Sequence, residues 1–476
     1  VDEELRALER NARASPEDLT AGRAFADALL RRGDRRASFA ELTRLARAGH
    51  PESRADVGRW LPWTGPAGNG DTRYAACRPI EGHPSVEVRT LPGTDLWRVV
   101  ATDASSIVLQ TLPPRQWRGQ FECMRLDTTK LASWWRTELS STSRWLGAHG
   151  EDLVWLDNHE LCVLSIPDGP PHEERTLPVR CSSLWGFADG DALVIVDDHG
   201  STSAFLSRDA SVPLFGGVSG VRWSRVARGF PLGPWSGRPL IHTPLDREGV
   251  PFHPGAQQNI GREQRNALEL LDAATGEVYA RSTPVAEQLE VLARDDDALV
   301  MRRDRRWVEL HEALAASPRV RVDTESVGGE PGPVLTPGEL VVVTSTPETN
   351  TTMSLELRVI DRSTGGVRWA TTFPLILLPT PLPPGGVFSA PRITGAIAAA
   401  GPVLYAAVEG PDDITVTAYD LASGAERFEV TVPAAADRAA TMFHAFDVPL
   451  LQLVPIEGAL LVVVATARGS LIARLG

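Results

Sequence analysis

From about residue 84 onward, apolar residues come in short, β-branched runs divided by Gly, Pro and Asp, which is the spacing of strands and turns and not of helices. Asp152-Leu153-Val154-Trp155-Leu156 precedes Glu160-Leu161-Cys162-Val163-Leu164, and Ala192-Leu193-Val194-Ile195-Val196 precedes Ser203-Ala204-Phe205-Leu206. Ala298-Leu299-Val300-Met301 precedes Arg306-Trp307-Val308-Glu309-Leu310, and the pattern repeats at residues 340–344 with 355–359 and at 403–408 with 414–418. Many short strands at even spacing predict an all-β repeat array. The first sixty residues instead carry a helical period.

A short phrase recurs within the array. It reads Leu271-Asp272-Ala273-Ala274-Thr275-Gly276, then Ile360-Asp361-Arg362-Ser363-Thr364-Gly365, then Tyr419-Asp420-Leu421-Ala422-Ser423-Gly424, with a weaker copy at Leu126-Asp127-Thr128-Thr129-Lys130. Each copy predicts a β-hairpin. The Asp carboxylate accepts from backbone N–H groups two or three residues on, and Gly supplies the positive φ that closes the turn. Three copies place an aromatic eight residues after the Asp, at Trp135, Trp369 and Phe428.

These residues resemble the repeats of the pyrroloquinoline-quinone-like, or quinoprotein-like, β-propellers, in which a Tyr-Asp or Leu-Asp strand end leads into a Thr-Gly turn and a tryptophan closes the blade. The resemblance covers roughly residues 84–476 and implies a propeller of four-stranded blades. Eight blades are expected, with seven as the alternative, near residues 92–140, 141–178, 179–215, 216–284, 285–323, 332–374, 387–433 and 445–476. The last has about three strands of its own, and Ser85-Val86-Glu87-Val88-Arg89-Thr90-Leu91 is expected to complete it and remove the exposed edges. Quinone-dependent dehydrogenases on this scaffold carry adjacent cysteines, a calcium-binding carboxylate set and a catalytic aspartate. Here no two cysteines are adjacent, so the resemblance implies a fold and not that chemistry.

Within residues 1–60, Glu3 to Arg13 reads as one helix. Ser15-Pro16-Glu17-Asp18 reads as the start of a second, with Ser15 as cap, Pro at the first helical position and acids in the first turn. Leu19, Ala26, Leu29 and Leu30 are expected on its inner face, and Gly33 at its end. Gly22 lies on that face and would let a neighbouring helix approach closely. A further helix is expected over about 38–48, with Phe39, Leu42, Leu45 and Ala46 inward. The result resembles a tetratricopeptide-type helical hairpin, or the short helical modules that precede repeat domains in some large bacterial proteins, and needs a neighbour to share its core. Residues 61–83, with Trp60 and Trp63 at the start, read as a linker, and 84–476 as the propeller.

Composition narrows the function. Hydrophobic residues make up 42% of the chain and the net charge is −13. Residues 1–60 hold 12 arginines against 11 acidic residues, and the remainder 36 basic against 50 acidic. An acidic propeller argues against nucleic-acid binding, which needs a basic footprint. No apolar run approaches the length of a membrane span, and Val1-Asp2-Glu3-Glu4 lacks the basic start and apolar core of a secretory signal. The cytoplasm is the default expectation; a processed chain would have lost its signal. Lys130 is the only lysine, which fits the codon bias of a GC-rich bacterial genome.

Candidate chemistry is sparse. Cys77, Cys123, Cys162 and Cys181 have no Cys-x-x-Cys or Cys/His spacing, so buried reduced thiols are expected and not a zinc site. His149, His159, His172, His199, His242, His253 and His311 are dispersed and read as turn or strand-end residues. Asp295-Asp296-Asp297 and Asp197-Asp198 read as acidic turns and not calcium loops. No Gly-x-Ser-x-Gly or other nucleophile motif is present. No catalytic residue, cofactor or metal ligand is therefore assigned.

Two segments break the blade rhythm and are the candidate partner-contact surfaces. One is 226–266, with Phe230 and Trp235; the other is 373–384, with Leu375, Ile376, Leu377, Leu378, Pro379 and Leu382. The second also reads as a strand plus a rigid polyproline connection packed on the propeller. The expected function is a non-catalytic protein-interaction subunit of a larger bacterial assembly, with protein partners. The alternative is a sensor or enzyme that binds a ligand or metal in the central channel.

Overall fold

The computed structural model describes the chain apart from residues 57–73, 92–96, 112–120, 140–143, 177–185, 199–206, 214–222, 226–229, 246–264, 325–331, 348–351, 377–394, 434–450 and scattered single or paired positions. Two helices come first, α1 (Asp2–Ala14) and α2 (Leu19–Arg31), followed by β1 (Tyr74–Ala75) and β2 (Val86–Thr90). The strands then run in groups: β3 (Trp97–Thr102), β4 (Ser106–Thr111), β5 (Phe121–Asp127), β6 (Ser133–Leu139); β7 (Arg144–His149), β8 (Asp152–Asp157), β9 (Glu160–Ser165), β10 (Glu173–Thr176). Next are β11 (Gly186–Asp189), β12 (Ala192–Asp198), β13 (Ser207–Pro213), β14 (Trp223–Arg225); β15 (Phe230–Trp235), β16 (Arg238–Leu245), β17 (Arg265–Leu271), β18 (Val278–Arg281). After them come β19 (Leu289–Arg294), β20 (Leu299–Arg303), β21 (Trp307–His311), β22 (Val320–Asp323); β23 (Val334–Leu335), β24 (Glu339–Pro347), β25 (Thr352–Asp361), β26 (Val367–Ile376). The series closes with β27 (Gly395–Ala400), β28 (Val403–Glu409), β29 (Asp413–Asp420), β30 (Glu426–Pro433), β31 (Leu451–Ile456), β32 (Ala459–Thr466) and β33 (Gly469–Leu475).

The fold is mainly β, a β-propeller of four-stranded antiparallel blades. Among the described residues there are eight such sheets. Seven are built from consecutive strands; the eighth joins β31, β32 and β33 to β2, which pairs with β33 from Val86↔Leu475 to Thr90↔Leu471. The N-terminal strand thus completes the C-terminal blade, as its sequence predicts. One sheet gains a fifth strand where β1 runs parallel to β27.

The chain falls into two compact units, Val1–Ala67 with Thr142–Glu287, and Gly68–Ser141 with Gln288–Gly476. The first holds α1, α2 and three blades, β7–β10, β11–β14 and β15–β18. Ser15 does not cap α2. Its N–H instead bonds back to Asn11, and Asp18 is the cap, its carboxylate accepting from Thr20 N and Ala21 N at 3.0 Å each. An aspartate there satisfies two of the amides that the first turn leaves without partners. Gly22, Phe25, Ala26 and Leu29 form the buried face of α2, while Leu30 is 38% exposed, one position off that face. Gly33 ends the helix at φ +85°. Described positions between 37 and 45 are helical, with Leu42 and Leu45 buried; Phe39 and Ala46 lie outside the described residues. A Cβ on Gly22 would stand 2.7 Å from Leu45 Cδ2, so the glycine does admit its neighbour.

Two blade boundaries in this unit differ from the sequence reading. Among the described residues the strand paired with β12 is 207–213, while 203–206 lie outside the described residues, and residues 223–225 belong to that same blade as β14. Residues 230–245, expected to be irregular, are β15 and β16 of the next blade. Segment 214–229 carries no Asp-Gly phrase to mark the blade's end, so pattern alone shifted the division.

The second unit holds β1 to β6 and β19 to β33, five blades, of which the four from β19 onward share interleaved apolar clusters. One apolar cluster joins β19–β22 to Leu335, Leu340, Val342 and Ile360 of the following blade; a second joins Val334 and Val341 to Leu404 and Tyr419; a third runs from Ala398 and Tyr405 to Leu460 and Val462. Residues 74–83, expected in the linker, are built into this unit. Ile80 is buried, its N–H donates to Tyr405 Oη at 3.0 Å, and Ala75 and Arg78 accept from Gly401 and Gly458. Burial of Ile80 in the third cluster and backbone pairing along the segment explain why it is not a free tether.

Candidate functional site

The recurrent turns organise the surface. In each copy the Asp carboxylate accepts from the second and third following amides: Asp272 from Ala274 and Thr275, Asp361 from Ser363 and Thr364, Asp420 from Ala422 and Ser423, Asp127 from Thr129 and Lys130, all at 2.6–3.1 Å. The glycines four residues on have φ of +72°, +72° and +73°; in the weaker copy Leu131 holds that place at φ +50°. Leu131 is buried, and its carbonyl accepts from Arg89 Nη1. Packing there holds a conformation that an L-residue otherwise avoids.

Seven residues after each Asp, the outer strand presents one of two side-chain types. Where it is arginine, the guanidinium returns to the turn: Arg368 reaches Asp361 at 2.5 Å and Arg427 reaches Asp420 at 2.7 Å. Where it is aromatic, an arginine from an inner strand covers it. Arg125 lies 4.1 Å from the Trp134 ring and Arg238 lies 3.7 Å from the Tyr279 ring, with Arg238 also 3.3 Å from Asp272. Trp134 is 47% exposed and Tyr279 64%. These two aromatics were not singled out from sequence; their shared offset from Asp is the signal that finds them.

Three of these carboxylates, Asp272, Asp361 and Asp420, are held below the usual carboxylate range. The Asp420 carboxyl is lowered from 3.8 to about 2, first by the Arg427 hydrogen bond and then by Ser423. Asp361 is lowered too, by the Ser363 hydroxyl first and then Arg368; Asp272 is lowered chiefly by the Thr275 amide.

Of the candidate contact residues, Trp235 is 3% exposed, so it fills its blade and offers no surface, a correction that follows from residues 230–235 being a strand. Phe230 pairs with His242 across β15 and β16. Leu375 and Ile376 end β26, paired with Met353 and Thr352, as the strand reading of that segment expects. Leu377, Leu378, Pro379 and Leu382 lie outside the described residues, as do Cys181, His159, His199 and His253.

Three further acidic groups are structural partners. Asp295 caps its own turn, accepting from Asp297 N and Ala298 N, and pairs with Arg362 at 2.6 Å. Buried Glu269 binds Thr243 and Arg281, and buried Glu309 lies between Arg321 at 3.2 Å and His311 at 3.4 Å. Burial raises the Cys123 thiol, and pushes Cys77 up to about 11. Such thiols are poor nucleophiles.

One cluster joins residues that sequence treated separately. Cys162 stands in β9 opposite Trp155 on one side and Glu174 on the other. His172, from the turn before β10, places Nε2 2.9 Å from Glu174 Oε1 and packs against the Trp155 edge at 5.1 Å between centroids. One donor atom each from Cys162, His172 and Glu174 falls within 4.8 Å of the others. Burial first, then the Asp157, Glu174 and Glu160 carboxylates, push the Cys162 thiol up to about 12. No linear Cys/His spacing rule finds this set, because strand register and not sequence separation assembles it.

No family model matches the chain, and no curated protein matches its sequence. Solved structures similar to it are propellers. BamB from Moraxella catarrhalis is 11% identical, with 83% of this chain and 100% of that chain covered at a TM-score of 0.44. Chaetomium thermophilum Sqt1, crystallised bound to the N-terminus of a ribosomal protein, is 11% identical over 85% and 99% at 0.41. The Nup133 β-propeller domain of Vanderwaltozyma polyspora is 7% identical over 80% and 100% at 0.36.

Proposed function

We propose that this chain is a non-catalytic protein-interaction scaffold, a subunit of a larger bacterial assembly. The observation that carries the reading recurs in each compact unit: Trp134 in one and Tyr279 in the other are exposed at the same offset from the turn Asp, each against an arginine. Tryptophan, tyrosine and arginine are the residue types that dominate binding energy at protein interfaces, and an aromatic stacked on a guanidinium is already ordered before a partner arrives. Buried Glu41, Glu269 and Glu309 hold arginines.

The test is retention of a partner by the full chain purified from its native host, for the wild type and for Trp134→Ala combined with Tyr279→Ala. If these side chains are interface anchors, losing both weakens the complex by at least about thirtyfold, the equivalent of about 2 kcal/mol. Unchanged retention in the double variant contradicts the reading. A sensor that binds a metal is the second reading, and the Cys162, His172 and Glu174 cluster is what favours it.

A further inference from the structure

We propose that Cys162 Sγ, His172 Nε2 and a carboxylate oxygen of Glu174 bind one zinc-class divalent cation on the β9–β10 hairpin. The site stands independently of the scaffold reading.

Three independent features of the fold bring the donors together. Antiparallel register sets Cys162 directly opposite Glu174, so both side chains leave the same face of the sheet. His172 precedes Glu174 by two residues and returns over that face, with Nε2 already 2.9 Å from the carboxylate. The Trp155 indole, opposite Cys162 on the next strand, meets the imidazole edge-on and limits its rotation. A mutual separation within 4.8 Å is close to what a tetrahedral ion requires. Zn–S and Zn–N bonds of about 2.3 and 2.05 Å set donor-to-donor distances of about 3.3–3.6 Å. Small side-chain rotations reach that, the histidine and glutamate moving slightly apart.

The donor set selects the ion. Thiolate, imidazole and carboxylate together suit zinc, whereas calcium and magnesium take oxygen donors alone. Binding releases the thiol proton to solvent, and the dication then balances the charges of thiolate and Glu174. Asp157 and Glu160, which also act on the thiol, add to the local attraction for a cation. Cys162 is buried, but Glu174 is 57% and His172 30% exposed, so the ion has an entry path and a fourth position open to water or another ligand.

The test is cobalt titration of the full chain after chelator treatment, without oxygen. One equivalent should produce a thiolate-to-cobalt charge-transfer band and the visible bands of tetrahedral cobalt, and zinc should displace both. Cys162→Ser should abolish the charge-transfer band. His172→Ala and Glu174→Gln should each weaken binding by more than about tenfold, since even groups that only support a ligand reach that size. Both of those positions are partly exposed, so their variants keep the fold if Cys162→Ser does not, which metal-free circular dichroism checks. The proposal is overturned if no charge-transfer band forms, if the band survives Cys162→Ser and so belongs to another cysteine, or if affinity is unchanged in His172→Ala and Glu174→Gln.

Discussion

At the scale of single residues, the Asp-to-Gly turns divide their work between charge and backbone. Gly365 and Gly424 have nearly the same φ, +72° and +73°, but differ in surroundings: a Cβ on Gly365 meets its nearest atom at 3.5 Å, whereas one on Gly424 meets Trp369 Cδ2 at 2.7 Å. The Trp369 indole also donates to Leu421 O at 2.8 Å, so it is seated on that turn from the preceding blade. Gly365→Ala is predicted to cost about 1–2 kcal/mol, the left-handed penalty alone, and Gly424→Ala about 1–3 kcal/mol more from overpacking. Urea midpoints of the two variants check this; equal losses would show that Trp369 yields freely.

The same turns make a pH prediction. A carboxyl lowered from 3.8 to about 2 on folding, as at Asp420, stabilises the native state fully above the unfolded value. That contribution disappears as pH falls through about 2. The stability difference between wild type and Asp420→Asn should therefore be largest near neutrality and shrink through the acid range. A constant difference in urea unfolding from neutral pH downward would show that the charge plays no part.

At the scale of elements, close packing outweighs local preference. Gly22 sits inside α2, where alanine would favour the helix by about 1 kcal/mol. The methyl group would press on buried Leu45 at 2.7 Å and on Arg44 Nη2 at 2.6 Å, and overpacking of this kind costs about 1–3 kcal/mol. Gly22→Ala is predicted to lower the thermal midpoint; a rise would mean that the helical segment carrying Arg44 and Leu45 can withdraw. Legibility followed the same division between local and distant causes. Turns were readable because Asp and Gly are demanded by backbone geometry within five residues, and Gly22 because a glycine in a helix needs a reason. The cap at Asp18 was misplaced onto Ser15 because both residue types cap equally well in isolation. Cys162, His172 and Glu174 were not readable as a set, since their meeting depends on which residues face each other across two strands. The irregular segment at 226–266 misled for a related reason: prolines in Phe230 to Leu245 disguise two strands, and Trp235 is buried within them.

At the scale of the whole molecule, the eighth blade depends on a strand from the other end of the sequence. Leu91 N–H bonds Ser470 O and Gly476 N–H bonds Ser85 O. With antiparallel alternation, Glu87 N–H then points at Arg474 while Val88 N–H points at the open edge. Glu87→Pro should destabilise by about 1–3 kcal/mol through an unmade ladder bond. Val88→Pro should cost less, because proline is tolerated where an edge strand's N–H faces outward. Equal effects in thermal unfolding would mean that β2 does not hold the blade. For the function, the proposed partners of Trp134 and Tyr279 are protein surfaces, since exposed aromatics and arginines are the residue types that anchor protein interfaces. Native mass spectrometry of the full chain isolated gently from its own cells tests that claim most directly. The scaffold account predicts a stoichiometric complex with at least one other polypeptide; a lone chain, with or without a bound metal ion, would contradict it.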